Sequence, residues 1–546
     1  MATVTNQRLS NLRALVVDDM AAMRQNVRTQ LGQIGVGRVD QASTPDEAIS
    51  FIRRESYDLI LCDYNLNRET NGQQLLEFLR AQNLITAATM FIMITAETSY
   101  DLVASAAEFQ PDAYMVKPLT GGKLLERIER LLDRQHALRP IVSRLKLKDG
   151  VGAVAECDRV LQAQPKWAAD VLKIKGATLL ELGKPEEAQA VYRQVLKLRE
   201  DLLWARLGLA RCHQAAGELD QAKTLAQEVL EQDGRYIVAY DLLATVAEAQ
   251  GDEHAALDAL NRSYEVVPSA RRSRLVGETA YRTGDLTLAR SAFERALSHT
   301  RNSLTAQPAD LLALAQVQVD GGDADAALKL LAGAPKDYLE SESFAATQAA
   351  VQAQAHVALG DAGAAAQAFE RARSLSTGTR ADNAALALAK AAFALGREDE
   401  AAQILSQAVK ADHENLRMVS MARKVLKDAG REHMVQAVVD QALGEVTAIL
   451  AEANALMRKA QFDASLATLQ RALEAMPDNT GVLLAAAQLH LLWMSQKGIN
   501  MEYVARVNAY LTRLDELVPG SERVAKMHRF LRETLSRASK EQLTHG

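Results

Sequence analysis

LRALVVDD, Leu12 to Asp19, sets the reading of the first part of the chain: a short, almost wholly apolar run that ends in two carboxylates. A run of this length bounded by a polar turn reads as a strand buried on both faces. An amphipathic pattern follows from Met20 to about Gly35, and the alternation then recurs. RVDQAS precedes PDEAISFIRR, YDLILCD precedes GQQLLEFLRAQ, MFIMITA precedes SYDLVASAAEF, and AYMVKP precedes GGKLLERIERLLDR. Five such alternations imply an α/β doubly wound domain over residues 1–136, with a five-stranded parallel sheet and helices on both faces.

From about Leu138 the strand pattern stops and a longer period begins. Gly183, Gly217, Gly251, Gly284, Gly322, Gly360, Gly396 and Gly430 stand 34, 34, 33, 38, 38, 36 and 34 residues apart. Alanine follows five residues after the first seven (Ala188, Ala222, Ala256, Ala289, Ala327, Ala365, Ala401), and Val435 follows the eighth. A large apolar residue comes nine residues after several of them: Tyr192, Leu260, Phe293, Leu331, Phe369 and Leu405. Glycine permits the left-handed turn that ends one helix. A small residue one turn later lets antiparallel helices cross closely, and the large one fills the gap to the next pair. Pro165, Pro268 and Pro477 close some repeats. The pattern resembles the tetratricopeptide repeat. It implies an all-α solenoid over 137–480, with degenerate copies near Lys148–Pro165 and near Ala460–Pro477, where alanine replaces the glycine. Residues 481–546 read as capping helices. The 38-residue spacings predict longer turns or helices around Gly322 and Gly360.

Composition narrows the classes. The 546 residues carry a net charge of −6, and aromatics make up 5%. Residues 1–134 hold 14 basic and 17 acidic side chains, so neither part has the basic excess that draws phosphate backbones. Three scattered cysteines (Cys62, Cys157, Cys212) suit neither a disulfide framework nor a zinc site. The opening MATVTNQRLS lacks a signal-peptide core, and no uninterrupted apolar run has the length of a membrane span, so a cytoplasmic protein is expected. No HExxH, GxxxxGK[ST] or GxSxG motif appears, and no separate enzyme domain is expected.

Chemistry concentrates at the strand ends. Asp18 and Asp19 end the first strand, Asp63 the third, Thr95 the fourth, and Lys117, followed by Pro118, the fifth. In an open parallel sheet, ligands bind beyond the carboxyl ends of the strands, so these residues converge there. Crowded carboxylates repel one another and call for a divalent cation, and hard oxygen donors select Mg²⁺. Lys117 can pair with Asp63 and then with a phosphoryl group on it, to which Thr95 can donate a hydrogen bond.

LVVDD, LCDYNL, MITAE and YMVKP, in that order and spacing, resemble the receiver domain of two-component response regulators. The resemblance implies a flavodoxin-like fold with Asp63 as phosphoacceptor and Mg²⁺ held by Asp19, Asp63 and the Asn65 carbonyl, with Asp18 assisting through water. It further implies a Thr95–Tyr114 switch pair, a cis Lys117–Pro118 bond, a sensor histidine kinase or phosphotransfer protein as donor, and a homodimer through about Ser99 to Asp133. Two positions depart from the family pattern: Asn67 stands where proline is common, and Gly72 lies nine residues after Asp63, so the loop NLNRETNG is one residue longer. The resemblance also puts Asn65 and Glu97 where side chains of the family commonly tune dephosphorylation. By repeat register, Lys173, Arg211, Asp241, Arg274 and Tyr281 are candidates for a protein-binding groove. Phosphorylation control of protein binding through the repeats, without nucleic acid or membrane, is the leading expectation. A constitutive scaffold whose receiver serves docking or dimerisation is the alternative.

Overall fold

In the computed structural model the described residues are 7–66, 71–86, 89–96, 111–300, 306–376, 383–518 and 521–544. The chain divides into two compact units: residues 1–283 with 291–307, and residues 284–290 with 308–546.

The first unit opens with strands β1 (Arg13–Val17), β2 (Arg38–Ala42), β3 (Leu59–Asp63), β4 (Met90–Thr95) and β5 (Ala113–Val116). They form one parallel sheet in the order β2-β1-β3-β4-β5. Side chains alternate across it, as strand geometry requires. Ala14, Val16, Leu59, Leu61, Ile92 and Ile94 face one core, with Val27 and Leu31 of α1 (Ala21–Gln33) and Leu124, Ile128 and Leu131 of α4 (Gly121–Lys146). Leu15, Val17, Ile60, Cys62, Phe91 and Met93 face the other, with Ile49 of α2 (Pro45–Arg54) and Leu75, Leu76 and Leu79 of α3 (Gly72–Ala81). The helix starts follow from the sequence. Thr44 caps α2 with proline at the first position, Asn71 and Gln74 form a capping box on α3, and Thr120 caps α4.

Helix α4 is 26 residues long and runs through the expected boundary at 136/137. Its first half belongs to the sheet domain. Its second half sends Ala137, Leu138 and Ile141 into a different core, with Ala153 and Cys157 of helix Gly150–Ala163 and with Trp167 and Val171. The last helix of the α/β domain is thus also the first helix of the repeat array. Pairs Ala168–Glu181/Pro185–Leu198, Leu203–Ala215/Leu219–Gln232 and Ile237–Gln250/Glu253–Val266 follow, then Ala270–Thr283.

The second unit continues the helix pairs from Pro308–Asp320 to Phe462–Ala475 and ends in Thr480–Lys497, Met501–Leu517 and Glu522–Thr544. The wide spacing in the middle has a visible cause: a short helix, Lys336–Leu339, is interposed, and the next helix, Glu342–Ala358, has 17 residues. Where Val435 replaces alanine, the helix enters through a 3₁₀ turn (Glu432–Met434) and a π turn (Gln436–Asp440). Among the described residues one helical run, Glu432–Arg458, is long and apolar enough by composition to cross a membrane. It carries Asp440, Glu445 and Glu452, and it packs against helix Phe462–Ala475.

All eight periodic glycines sit at φ between 68 and 88°, and all seven alanines five residues on have no exposed surface. Tyr192 shows the purpose of the small residues: a Cβ on Gly176 or Gly208 would come within 2.5 Å or 2.4 Å of its ring. The degenerate end copies keep the turn without the glycine, since Lys148 and Ala460 adopt φ of 54 and 55°. A left-handed backbone costs a Cβ-bearing residue about 1–2 kcal/mol, more than glycine's extra chain entropy. Ala460→Gly is therefore expected to stabilise the second unit by about 1 kcal/mol, read as a higher urea midpoint at unchanged slope.

Candidate functional site

The ladder of the sheet continues one step past the strands and fixes the site backbone. The Asp18 N–H donates to the Ala42 carbonyl (3.2 Å), that of Tyr64 to Ile94 (2.8 Å) and that of Lys117 to Thr95 (2.7 Å). Asp18, Asp63, Thr95 and Lys117 consequently share one edge, beside the point where strand order reverses between β1 and β3. The carboxylates of Asp18, Asp19 and Asp63 each offer an oxygen within 4.8 Å of the others. The Lys117 ammonium lies 3.2 Å from Asp18 Oδ2 and 3.0 Å from Asp63 Oδ2. The Lys117–Pro118 bond is cis.

The charges are strongly coupled. Burial pushes the Asp63 carboxyl above its ordinary 3.8, the hydrogen bond and charge of Lys117 pull it back, and Asp18 and Asp19 raise it again. Burial opposes the charge of Lys117, but Asp63 and Asp18 outweigh it and hold its pKa above 10.5. Asp18 is 2% exposed and Asp63 6%, whereas Asp19 reaches solvent. Hard oxygen donors, crowding and access from one side suit a divalent cation. Cys62 behaves as core: it is fully buried, and desolvation keeps its thiol protonated.

Two supports were not legible in the motif. Arg24 on α1 donates to the carbonyls of Asp18 (2.6 Å) and Asp19 (3.0 Å), clamping the acidic turn from its own chain. Its spacing, five and six residues on, is the only sequence trace. Gly72 starts α3 against the acceptor: its N–H donates to the Tyr64 carbonyl at 2.7 Å, and a Cβ there would lie 2.3 Å from the Asp63 carbonyl oxygen. The lengthened loop thus still delivers glycine where the helix start meets the Asp63 backbone.

Thr95 is buried at the end of β4, and Tyr114 is half-buried against the α2/α3 core. Asn65 is exposed two residues beyond Asp63. Asn67, Glu97 and residues 99–110 of the expected dimer face lie outside the described residues. Of the groove candidates, Lys173 and Arg211 keep solvent access, Asp241 and Arg274 are half-buried, and Tyr281 is buried. The protein surface around Lys173 still desolvates it and, with Arg134 and Arg211, lowers its pKa despite Asp170. Asp241 accepts from Ser263 Oγ at 2.9 Å, and its pKa is raised by burial against the pull of Arg272.

A family model described as response regulator receiver domain matches residues 14–129, and tetratricopeptide repeat models match 179–246, 242–306 and 356–425. The chain carries a response regulator receiver domain followed by tetratricopeptide repeats. The receiver is 28% identical over 124 residues to chemotaxis protein CheY-3 of Vibrio cholerae, spanning 94% of that protein and 23% of this chain. It is 29% identical over 123 residues to chemotaxis protein CheY of Pseudomonas aeruginosa, spanning 98% of that protein and 22% of this chain. A thermophilic TPR protein of Thermus thermophilus aligns over 33% of this chain and 98% of its own (19% identity, TM-score 0.28). A tetratricopeptide repeat protein of Parabacteroides merdae aligns over 50% and 98% (15% identity, TM-score 0.30). The receiver supports a response-regulator role of the bacterial two-component type, and the repeats suggest protein interaction.

Gly72→Ala forces its Cβ onto the Asp63 carbonyl. It is expected to destabilise the receiver by about 1–3 kcal/mol, the usual cost of overpacking, measured by urea unfolding followed on the receiver.

Proposed function

We propose that the protein is a phosphorylation-controlled adaptor: Asp63 accepts a phosphoryl group, and the repeats bind a protein partner in response. The observation that carries this reading is the Lys117 ammonium set between Asp18 and Asp63 within a three-carboxylate cluster. Asp18, Asp19 and Asp63, with the Asn65 carbonyl, would hold Mg²⁺, which when bound neutralises phosphoryl oxygens. An Asp63 oxygen attacks phosphorus, forming the acyl–phosphate bond, while the donor's leaving atom departs with the P–donor electron pair. No separate base is needed because the carboxylate is the nucleophile. Lys117 then pairs with the phosphoryl oxygens, Thr95 donates its hydroxyl to them, and Tyr114 turns inward behind it.

The donor is a histidine kinase or phosphotransfer protein, the setting is cytoplasmic, and the output is protein binding without nucleic acid or membrane. A homodimer through the region of 99–133 belongs to the same reading. Partner recovery from cytosol with beryllofluoride and Mg²⁺, compared between wild type and Asp63→Ala, tests the claim. Recovery that changes in wild type alone supports it; identical recovery leaves a constitutive scaffold.

The raised pKa of Asp63 fixes a pH dependence. Protons compete with Mg²⁺ at this carboxyl, so Mg²⁺ affinity is expected to rise with pH from about 3.8 upward through the raised value. In metal-free protein the sign is opposite for stability. The folded chain holds this proton more tightly than the unfolded one, so the stabilisation from Asp63 fades as pH rises through the same interval. Calorimetric Mg²⁺ titration and urea midpoints across that range check both signs.

A further inference from the structure

Helix α3 leaves the acceptor loop with a polar outer edge: Gln73, Gln74, Glu77 and Arg80. Such an edge on an amphipathic helix ordinarily faces water. Here Gln73 is only 3% exposed and Glu77 8%. Gln73 donates to Glu77 on its own helix at 3.5 Å, and the repeats supply contacts to Glu77 and Gln74. Glu77 Oε1 lies 3.6 Å from Arg272 Nη1 on helix Ala270–Thr283, and Gln74 Nε2 donates to the Pro268 carbonyl at 3.4 Å.

Arg272 is itself 2% exposed. Its Nε donates to Ser263 Oγ at 3.1 Å, and Ser263 Oγ donates to Asp241 Oδ1 at 2.9 Å. A buried guanidinium is tolerated only where carboxylates and hydrogen bonds offset its desolvation. The compensation of Arg272 is divided: Asp241 acts through Ser263 from within the array, and Glu77 comes from the receiver. Arg271 beside it stays exposed, yet the surrounding protein desolvates it, and this together with the charges of Arg272 and Arg274 lowers its pKa, while Glu77 opposes them.

A second polar link runs beside the first. Arg80 on α3 approaches Asp112 at 3.6 Å, and Arg134 bridges Asp112 (3.1 Å) and Asp170 (2.7 Å) on repeat helix Ala168–Glu181. Asp170, Asp241 and Arg272 lie on the first helices of three repeat pairs, the helices that line a tetratricopeptide groove.

We propose that the receiver's own helix α3 is the resident ligand of the repeat groove, docked through Glu77 on Arg272, and that an outside partner competes by presenting an acidic helix to the same arginine. The charge demanded by Arg272 names the partner's chemistry, since any replacement for Glu77 must bring a carboxylate. Gly72, the first residue of the docked helix, abuts the Asp63 carbonyl, so a rearrangement at Asp63 reaches the dock directly. That coupling rests on the phosphorylation reading; the dock itself does not.

Hydrogen exchange of the full chain tests the dock without any phosphoryl ligand. In Glu77→Gln, amides of 72–81 and of 263–276 are expected to exchange on the order of tenfold faster than in wild type, and faster still in Glu77→Arg. Unchanged exchange in the β1–β5 core controls for receiver folding. No change in 263–276 for either variant, or acceleration confined to 72–81, overturns the proposal. For the partner class, a helix-stapled peptide of residues 71–83 is titrated into the Glu77→Arg chain. It is expected to bind at least about tenfold more tightly than its Glu77→Gln counterpart, and equal binding overturns the acidic-helix assignment. Beryllofluoride with Mg²⁺ on wild type reads the coupling separately. Opening in Glu77→Gln with none under beryllofluoride supports the dock and counts against phosphorylation control alone.

Discussion

One helix constrains the first unit. Gly121–Lys146 buries Leu124, Ile128 and Leu131 in the receiver core and Ala137, Leu138 and Ile141 in the first repeat core. At 1.5 Å per residue it is a rod of about 39 Å with no break between the two jobs. Pro140 lies within it, but between residues that pack into the same repeat core on either side. The receiver and the first repeat therefore cannot rotate independently without unpacking one of those cores. That rigidity lets side chains as short as Asp112 and Asp170 meet across the domain junction through Arg134.

At the other end of the sheet the governing force is repulsion among carboxylates. Asp18 is almost fully buried and Asp63 nearly so; burial first, and then the charges of Asp18 and Asp19, work against the charged form of Asp63. Lys117 offsets the charge of the pair by sitting within 3.2 Å of both, and Arg24 fixes the backbone of the acidic turn. The cluster is stable enough to fold and remains short of positive charge, a state that welcomes a divalent cation. Gly72, the first residue of α3, donates its N–H to the Tyr64 carbonyl and lies against the Asp63 carbonyl, so the start of α3 and the acidic site share one backbone contact.

Much of this was legible in the residues. Near-continuous apolar runs such as LILCD gave the parallel sheet because both faces are covered, and the glycine–alanine register gave the solenoid because turn conformation and helix crossing each admit one kind of side chain. The convergence of Asp18, Asp63, Thr95 and Lys117 followed from topology alone. What escaped the sequence depends on tertiary placement. A boundary at 136/137 looked natural, yet no residue there stops a helix, and α4 continues. Nothing in the local sequence marks Glu77 and Arg272 as a buried pair, because their contact joins stretches of chain almost 200 residues apart. The roles of Asn67 and Glu97 fall on residues outside the described structure. At Lys148 and Ala460 the repeat geometry overrides the residue, and each accepts a left-handed backbone that the neighbouring copies give to glycine.

The polar character of the dock bears on what it can do. An apolar patch of equal area would bind the receiver to the repeats with the full hydrophobic gain and resist opening. A buried carboxylate–guanidinium contact contributes little net stability, because desolvation offsets most of its attraction, yet it penalises any arrangement that leaves one charge alone. Glu77 and Arg272 thus define a specific closed register at small net free energy. On the proposed dock, the contact would separate when a competing carboxylate reaches Arg272 or when α3 shifts at Gly72, and the repeats would keep their own core. A groove closed in this way would be selective while closed and inexpensive to open.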